Sequence, residues 1–209
     1  DTGVHASHFV AHMDLSSPIS KPDEVVFKAN RFVKRGIQID AIMEVPADLH
    51  ARFSAISRTY HYIISRKRSV FLDDYSWFIP QDMDFDKIVE ASQNLMAYTD
   101  FTSFARLHAD TKTNECMIIS AKWKSYDDFW VFEIRADRFL RNMVRAIVGT
   151  LTDVGRGKVS VDEFNRIILG KDRSLAGQSA PAHGLFLTHV EYPEDGFMTS
   201  PKSPFYNFF

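Results

Sequence analysis

A carboxylate stands two residues before a glycine in the opening run, Asp1-Thr2-Gly3-Val4-His5-Ala6. Apolar and polar residues roughly alternate from position 3 to position 13, which predicts a strand with a partly exposed face. A glycine at the start of such a strand permits a loop that presents a side chain in a cleft. Asp1 is therefore a candidate catalytic residue. The alternative is an ordinary turn or capping residue.

Three histidines in the same segment suggest a competing chemistry. His5, His8 and His12 have the spacing of three and four residues that helical zinc ligands use. In a strand, however, successive side chains alternate, so His8 and His12 would lie on one face and His5 on the other. The predicted strand therefore indicates no metal site, and a zinc enzyme stays the alternative.

Basic residues cluster at two places in a chain whose net charge is −2. That net charge argues against binding of nucleic acid by bulk electrostatics, because counterion release needs several cations facing the phosphates. The clusters are Arg52, Arg58, Arg66, Lys67 and Arg68, and then Arg135, Arg138, Arg141 and Arg145. Together with aromatic residues expected at the surface (Tyr62, Tyr75 and Trp77), they leave open a non-catalytic RNA-binding module.

The elements that position these residues follow from hydrophobic periodicity and capping signals. Further strands are predicted at 37–45, 58–65, 75–79, 115–124, 129–136 and 185–192. Helices are predicted at about 23–34, 84–99, 139–154 and 160–169. Asp84 has the type and position of an N-cap, and Ser160 with Glu163 has the pattern of a capping box.

This element order predicts an α+β fold made of two pseudo-repeated α/β units, with antiparallel sheets and flanking helices. The first unit covers residues 1–80 and carries the Asp1 loop, the second covers 81–193, and residues 194–209 form an irregular tail. No run approaches the roughly 18 apolar residues of a membrane span, so a soluble protein is expected. Cys116 is the single cysteine, which excludes an intramolecular disulfide and favours a reducing, intracellular setting.

Five blocks, in order, resemble the TruA family of tRNA pseudouridine synthases. The opening run differs only at Thr2 from the family core Asp-Ala-Gly-Val-His-Ala. The other blocks are residues 50–62 (His-Ala-Arg-Phe-Ser-Ala, then Arg58 and Tyr60-His61-Tyr62), 100–104 (Asp-Phe-Thr-Ser-Phe), 139–149, and 180–185 (Ala-Pro-Ala-His-Gly-Leu). They extend over nearly the whole chain, although the segment that precedes the catalytic aspartate in the family, including an arginine, is missing here.

The resemblance implies roles for individual residues. Asp1 is the catalytic carboxylate, which either attacks the ribose C1′ or removes a proton at C2′, and both routes stay open. Arg145 is the fixed cation that keeps this carboxylate ionised, since a guanidinium is always charged and can pair through two nitrogens. Tyr60 stacks on the target base and helps to remove the C5 proton. Leu185 lines the base pocket.

Further residues are expected to bind the RNA backbone. Arg138, Arg141 and Arg145 are spaced three and four apart and are predicted to share one helix face. With Arg52, Arg58 and the run Arg66 to Arg68 they are expected to follow the phosphates, although each except Arg145 could also be an ordinary surface charge.

The resemblance also implies a substrate and partners. The substrate is the tRNA anticodon arm, with isomerisation at positions 38, 39 and 40 after the base is flipped into a pocket, and no cofactor is needed. The enzyme acts in the cytoplasm as a homodimer, with tRNA lying across both subunits. A correctly folded but inactive fragment of such an enzyme is the remaining alternative.

Overall fold

Six strands form one mixed sheet in residues 2–33, 36–106 and 112–193, the parts of the chain that the structure, a computed structural model, describes. The strands are β1 (His5–Ala6), β2 (Ser57–Ser65), β3 (Trp77–Phe78), β4 (Ile118–Ser125), β5 (Phe129–Ala136) and β6 (Leu185–Glu191). Their order is β1-β6-β2-β5-β4, and β3 pairs with β2 beside this path. Strands β2 and β4 are antiparallel to β5, whereas β1 is parallel to β6 and β3 is parallel to β2.

Four helices accompany this sheet in the described residues: α1 (Pro22–Phe32), α2 (Phe85–Asn94), α3 (Met143–Gly155) and α4 (Val161–Gly170). The carboxylate of Asp84 accepts the N–H of Lys87 at 3.1 Å and so caps α2. At α4 the Ser160 hydroxyl accepts the N–H of Glu163 at 3.2 Å, and the Glu163 carboxylate accepts the N–H of Ser160 at 2.7 Å. Both predicted caps are confirmed, and the fold is α+β as expected.

Helix α3 is buried along almost its whole length and packs against α2 and α4. One position on it permits a very close approach of the chain. A Cβ atom at Gly149 would lie 1.8 Å from the main-chain oxygen of Gln178 and 3.3 Å from the nitrogen of Ala180. Only glycine therefore allows the segment 178–180 to lie directly against this helix.

The chain divides into two compact units. The larger comprises the residues up to Phe9 and Ile56–Val190, and it contains β2 to β5 with helices α2, α3 and α4. The smaller comprises Val10–Ala55 and the residues from Glu191 onward, and it contains α1. The division predicted at residue 80 stays a prediction, and the predicted tail, 194–209, lies outside the described residues.

Two predicted strands differ from the structure because main-chain groups find other partners. The strand predicted at 3–13 is paired only at His5–Ala6, since Ser7 and His8 both donate their N–H groups to the oxygen of Leu187, at 3.0 and 3.4 Å. No strand forms at 37–45, a segment that the structure describes in full. There the side-chain amide of Asn30 on α1 bonds both main-chain groups of Ile39, at 2.7 and 2.8 Å.

The prediction that Arg138, Arg141 and Arg145 share a helix face is also wrong. Asn142 has a left-handed backbone with φ 68°, so α3 begins at Met143 and only Arg145 of the three lies on it. Tyr62, expected at the surface, is fully buried in the core.

Candidate active site

A cavity of about 370 Å³ lies beside the start of α3. It is lined by Thr2, Arg106, Arg141, Asn142 and Arg145. Thr2 directly follows Asp1 in the chain, and Asp1, the predicted catalytic residue, lies outside the described residues. The described lining therefore carries three guanidinium groups and no carboxylate, so the cavity favours anions.

Arg145 is held at this cavity by the main chain of Ala180. Its Nε donates a hydrogen bond to the Ala180 oxygen at 2.7 Å, and the Ala180 N–H donates to the Arg145 oxygen at 2.9 Å. The side chain is partly buried in the first turn of α3. These two bonds fix the direction of the guanidinium before any substrate enters.

The backbone turn at Asn142 is held by Ser179, the residue before Ala180. The side-chain amide of Asn142 donates to the Ser179 hydroxyl oxygen at 2.6 Å, and Arg173 Nη2 donates to the same oxygen at 3.1 Å. Asparagine tolerates the left-handed conformation better than most residues. Residues 179–180 therefore hold both Asn142 and Arg145 in place.

Arg106 lines the cavity next to Arg141, to which its main chain is hydrogen-bonded. Its N–H donates to the Arg141 oxygen at 3.1 Å, although the two residues are far apart in sequence. Sequence reasoning missed Arg106. The available signal was its position just after the block 100–104, in which Phe101 and Phe104 are fully buried and anchor the chain.

Tyr60 lies in the middle of β2, opposite Ile134 of β5, and is partly buried. Its ring meets the edge of Phe139, with ring centroids 5.2 Å apart. Burial raises the pKa of the Tyr60 hydroxyl above its ordinary value of 10.0, and the nearby charge of Arg58 offsets only part of this. The hydroxyl therefore stays neutral and can donate a proton or a hydrogen bond. Leu185, the first residue of β6, is buried.

The remaining predicted RNA-binding arginines have local partners. An Nη atom of the Arg58 guanidinium donates to the main-chain oxygen of Asp137 at 2.8 Å. The main-chain N–H of Arg138 donates to the Asp137 carboxylate at 2.6 Å. Arg52 belongs to the smaller unit, where its guanidinium lies 5.5 Å from the centre of the Phe53 ring. Of the predicted site residues that the structure describes, only Arg141 and Arg145 line the cavity.

The histidines of the zinc alternative have three different neighbours. His5 bonds the main-chain oxygen of Asp74 at 3.0 Å, the His8 ring stacks on His189, and the His12 ring meets His50. Among residues 2–33, 36–106 and 112–193, no group of three His, Cys, Asp or Glu side chains is placed to hold a metal ion.

Comparison with known proteins identifies the family. A family model described as tRNA pseudouridine synthase matches residues 91–193. The tRNA pseudouridine synthase A of Bacteroides fragilis is 50% identical over 198 residues, which are 94% of this chain and 79% of that protein. The chain belongs to the tRNA pseudouridine synthase family. Two further enzymes of the same name are similar to this chain. That of Parabacteroides distasonis is 48% identical over 94% of this chain and 78% of its own length. That of Porphyromonas gingivalis is 49% identical over 95% of this chain and 80% of its own length.

Membership of the tRNA pseudouridine synthase family confirms the resemblance drawn from the five sequence blocks. The family match ends at residue 193, and it includes the Arg106 segment, α3 and β6. No helix in the described residues is both long and apolar enough to cross a membrane. The roles of single side chains in this tRNA pseudouridine synthase stay predictions.

Proposed function

We propose that this chain isomerises uridine to pseudouridine in the anticodon arm of tRNA, at positions 38, 39 and 40, with Asp1 as the catalytic carboxylate. The curated relatives bear the name tRNA pseudouridine synthase A and cover most of the chain. The observation that carries the residue assignment is the cavity beside Thr2, whose described lining offers three guanidinium groups to an anion.

The reaction needs no cofactor because its atoms and electrons balance within the substrate. The bond between C1′ and N1 breaks, the uracil turns, a bond between C1′ and C5 forms, and the C5 proton leaves while N1 gains one. Asp1 either attacks C1′ or removes a proton at C2′ as the first bond breaks. Both routes require this carboxylate to be ionised in a site that excludes water.

Arg145 supplies the cation for that requirement. Its Nε is already bonded to the Ala180 oxygen and the residue lines the cavity, so the guanidinium is held beside the cavity before the reaction. A guanidinium fixed before reaction stabilises a nearby carboxylate without further reorganisation. Asp1 stands one residue before Thr2, which lines the same cavity.

Tyr60 and Leu185 serve the base. The neutral, partly buried hydroxyl of Tyr60 relays the C5 proton, and its ring stacks on the turned uracil. Leu185, which is buried at the start of β6, is assigned to the base pocket by its family position. Arg52, Arg58, Arg138 and Arg141 contact the RNA backbone, and these contacts offset the few kcal/mol that base flipping costs. The enzyme acts in the cytoplasm as a homodimer.

Release of the C5 hydrogen of uridine from tRNA tests this function directly. The protein, with any residues that precede Asp1 in the natural chain, is compared with its Asp1→Ala variant in buffer that contains a chelator. We expect release that resists the chelator and falls by about 10³-fold or more in the variant. The exposed Asp14→Ala substitution is the matched control and should leave release unchanged.

Three other outcomes would contradict or limit the proposal. Binding of tRNA without any hydrogen release would favour the non-catalytic RNA-binding module. Release only from a longer form of the protein would identify the present chain as an inactive fragment. Loss of activity in the chelator would favour the zinc enzyme.

A further inference from the structure

Arg106 and Arg141 present two guanidinium groups at the same cavity as Arg145. Arg145 is partly buried and bonded to Ala180, whereas Arg106 and Arg141 are exposed. Resting on the proposed function, in which Arg145 serves Asp1, we propose that Arg106 and Arg141 form a clamp for one backbone phosphate next to the target uridine.

The main chains of the two arginines are fixed although their side chains reach solvent. The N–H of Arg106 bonds the oxygen of Arg141 at 3.1 Å, which ties the two chain segments together. Arg106 follows the buried residues Phe104 and Ala105, and Arg141 follows the buried Leu140. The two guanidinium groups therefore start from anchored positions, and less conformational entropy is lost when they bind a ligand.

Charge identifies the class of ligand. Three guanidinium groups belong to the described lining of this cavity, so the cavity attracts anions. A phosphodiester is always ionised and offers two oxygens that match the planar fork of arginine. An uncharged base edge gains less from guanidinium donors than an ionised group does. A phosphate of the substrate is therefore the fitting anion.

The position of the cavity identifies which phosphate. The phosphates on either side of a nucleotide are joined to the same ribose whose C1′ faces the catalytic carboxylate. Thr2, which follows Asp1 in the chain, lines the same cavity as Arg106 and Arg141, which favours a phosphate of the target nucleotide over a distant one. Clamping that phosphate would hold the sugar in register while the base turns, because the phosphate is the part of the nucleotide that does not change during isomerisation.

The first experiment measures tRNA affinity at several salt concentrations for the natural protein and for Arg106→Gln, Arg141→Gln and the double variant. Each single substitution should raise Kd by about tenfold. The dependence of log Kd on log salt should weaken by about 0.7 when one phosphate contact is lost. Arg166→Gln, which removes an exposed arginine from α4, is the matched control and should change neither quantity.

The second experiment removes the charge from the ligand instead. A tRNA assembled with a single neutral methylphosphonate on either side of the target uridine should bind the natural protein about tenfold more weakly at one of the two positions. The same replacement should cause no further loss in the double variant. Arg106→Lys, which keeps the charge but not the fork, should give an intermediate loss.

Two results would overturn the clamp. One is an equal effect of Arg106→Gln and Arg166→Gln on affinity and salt dependence. The other is an equal loss on methylphosphonate substitution in the natural protein and the double variant. These measurements need no turnover. Absence of hydrogen release would reject the proposed function without changing the affinity results, and failure of the clamp would leave hydrogen release in place.

Discussion

The hydroxyl group of Tyr62 on β2 donates a hydrogen bond to the main-chain oxygen of Pro181 at 2.9 Å. The neighbouring residue, Ala180, exchanges two hydrogen bonds with Arg145 on α3. A buried tyrosine and a cavity arginine therefore hold adjacent peptide groups of one loop. Through this loop the sheet helps to position the Arg145 guanidinium, which we propose as the partner of the Asp1 carboxylate.

Replacement of Tyr62 by phenylalanine should destabilise the protein and disturb the site. The substitution leaves the Pro181 oxygen without this donor, which should lower the free energy of unfolding by about 1 kcal/mol. Because the loop also orients Arg145, kcat for hydrogen release should fall while KM for tRNA changes little. Urea unfolding and steady-state kinetics measure the two effects.

The control for Tyr62→Phe is Tyr126→Phe, which removes a hydroxyl from the exposed turn between β4 and β5. It should change neither stability nor kcat. Lower stability of Tyr62→Phe with an unchanged kcat would mean that Tyr62 only supports the core.

Gly184 lies against Tyr62 so closely that a side chain has no room. A Cβ atom there would be 2.8 Å from Cζ of the Tyr62 ring and 3.1 Å from the main-chain oxygen of Ile63. Gly184→Ala should therefore displace Tyr62 or the loop and lower the free energy of unfolding by about 1–3 kcal/mol. Thermal and urea unfolding measure this loss.

Gly170→Ala is the matched control for this substitution. Its Cβ would meet mainly Cδ1 of Leu175, the end of a flexible and exposed side chain that can move aside. Alanine is also the better helix former, so stability should be unchanged or slightly higher. If both variants lose the same stability, the contact between Gly184 and Tyr62 is not the cause.

Local signals in the sequence predicted those features that depend on neighbouring residues. The caps at Asp84 and Ser160 need only residues three positions away, and both form as predicted. The strand predicted at 37–45 failed because Asn30, on a different element, takes the main-chain groups of Ile39. Propensity cannot detect such a competing partner.

The candidate site could be predicted only in part. Arg141 and Arg145 lie in a block that resembles the family, so both could be chosen from sequence. Arg106 was missed because its position just after the block 100–104 was the only signal, and its place beside Arg141 depends on a hydrogen bond between residues far apart in sequence. The left-handed turn at Asn142, which removes Arg141 from the helix, is stabilised by Ser179 and leaves no periodic pattern.

Asp100 should make the free energy of unfolding depend on pH in the acid range. Partial burial tends to raise its pKa, but hydrogen bonds from Lys171, at 2.9 Å, and from Thr102 prevail and lower it below the ordinary 3.8. The unfolded chain thus binds the proton more readily, so this stabilisation is complete above about pH 4 and is lost as the pH falls through the lowered pKa.

Asp100→Asn should accordingly lower the free energy of unfolding by about 0.5–1 kcal/mol near pH 7, the range of solvent-screened pairs. The difference from the natural protein should shrink as the pH falls below about 4 and through the lowered pKa, where the natural carboxyl takes up its proton. Urea unfolding between about pH 2 and pH 7, a range that includes the ordinary pKa of a carboxyl group, measures this difference. Asp73→Asn, at an exposed position, is the control, and a difference that persists at low pH would contradict the argument.

Arg145→Lys separates the charge of the cation from its geometry. Lysine keeps the positive charge, but it lacks the Nε that bonds Ala180 at 2.7 Å and the fork that pairs with a carboxylate. We therefore expect kcat for hydrogen release to fall by about 100-fold, as for a displaced catalytic group, with a small change in tRNA affinity. Arg166→Lys is the matched control. Full activity in Arg145→Lys would mean that charge alone suffices, whereas lost tRNA binding with normal kcat would make Arg145 a substrate contact.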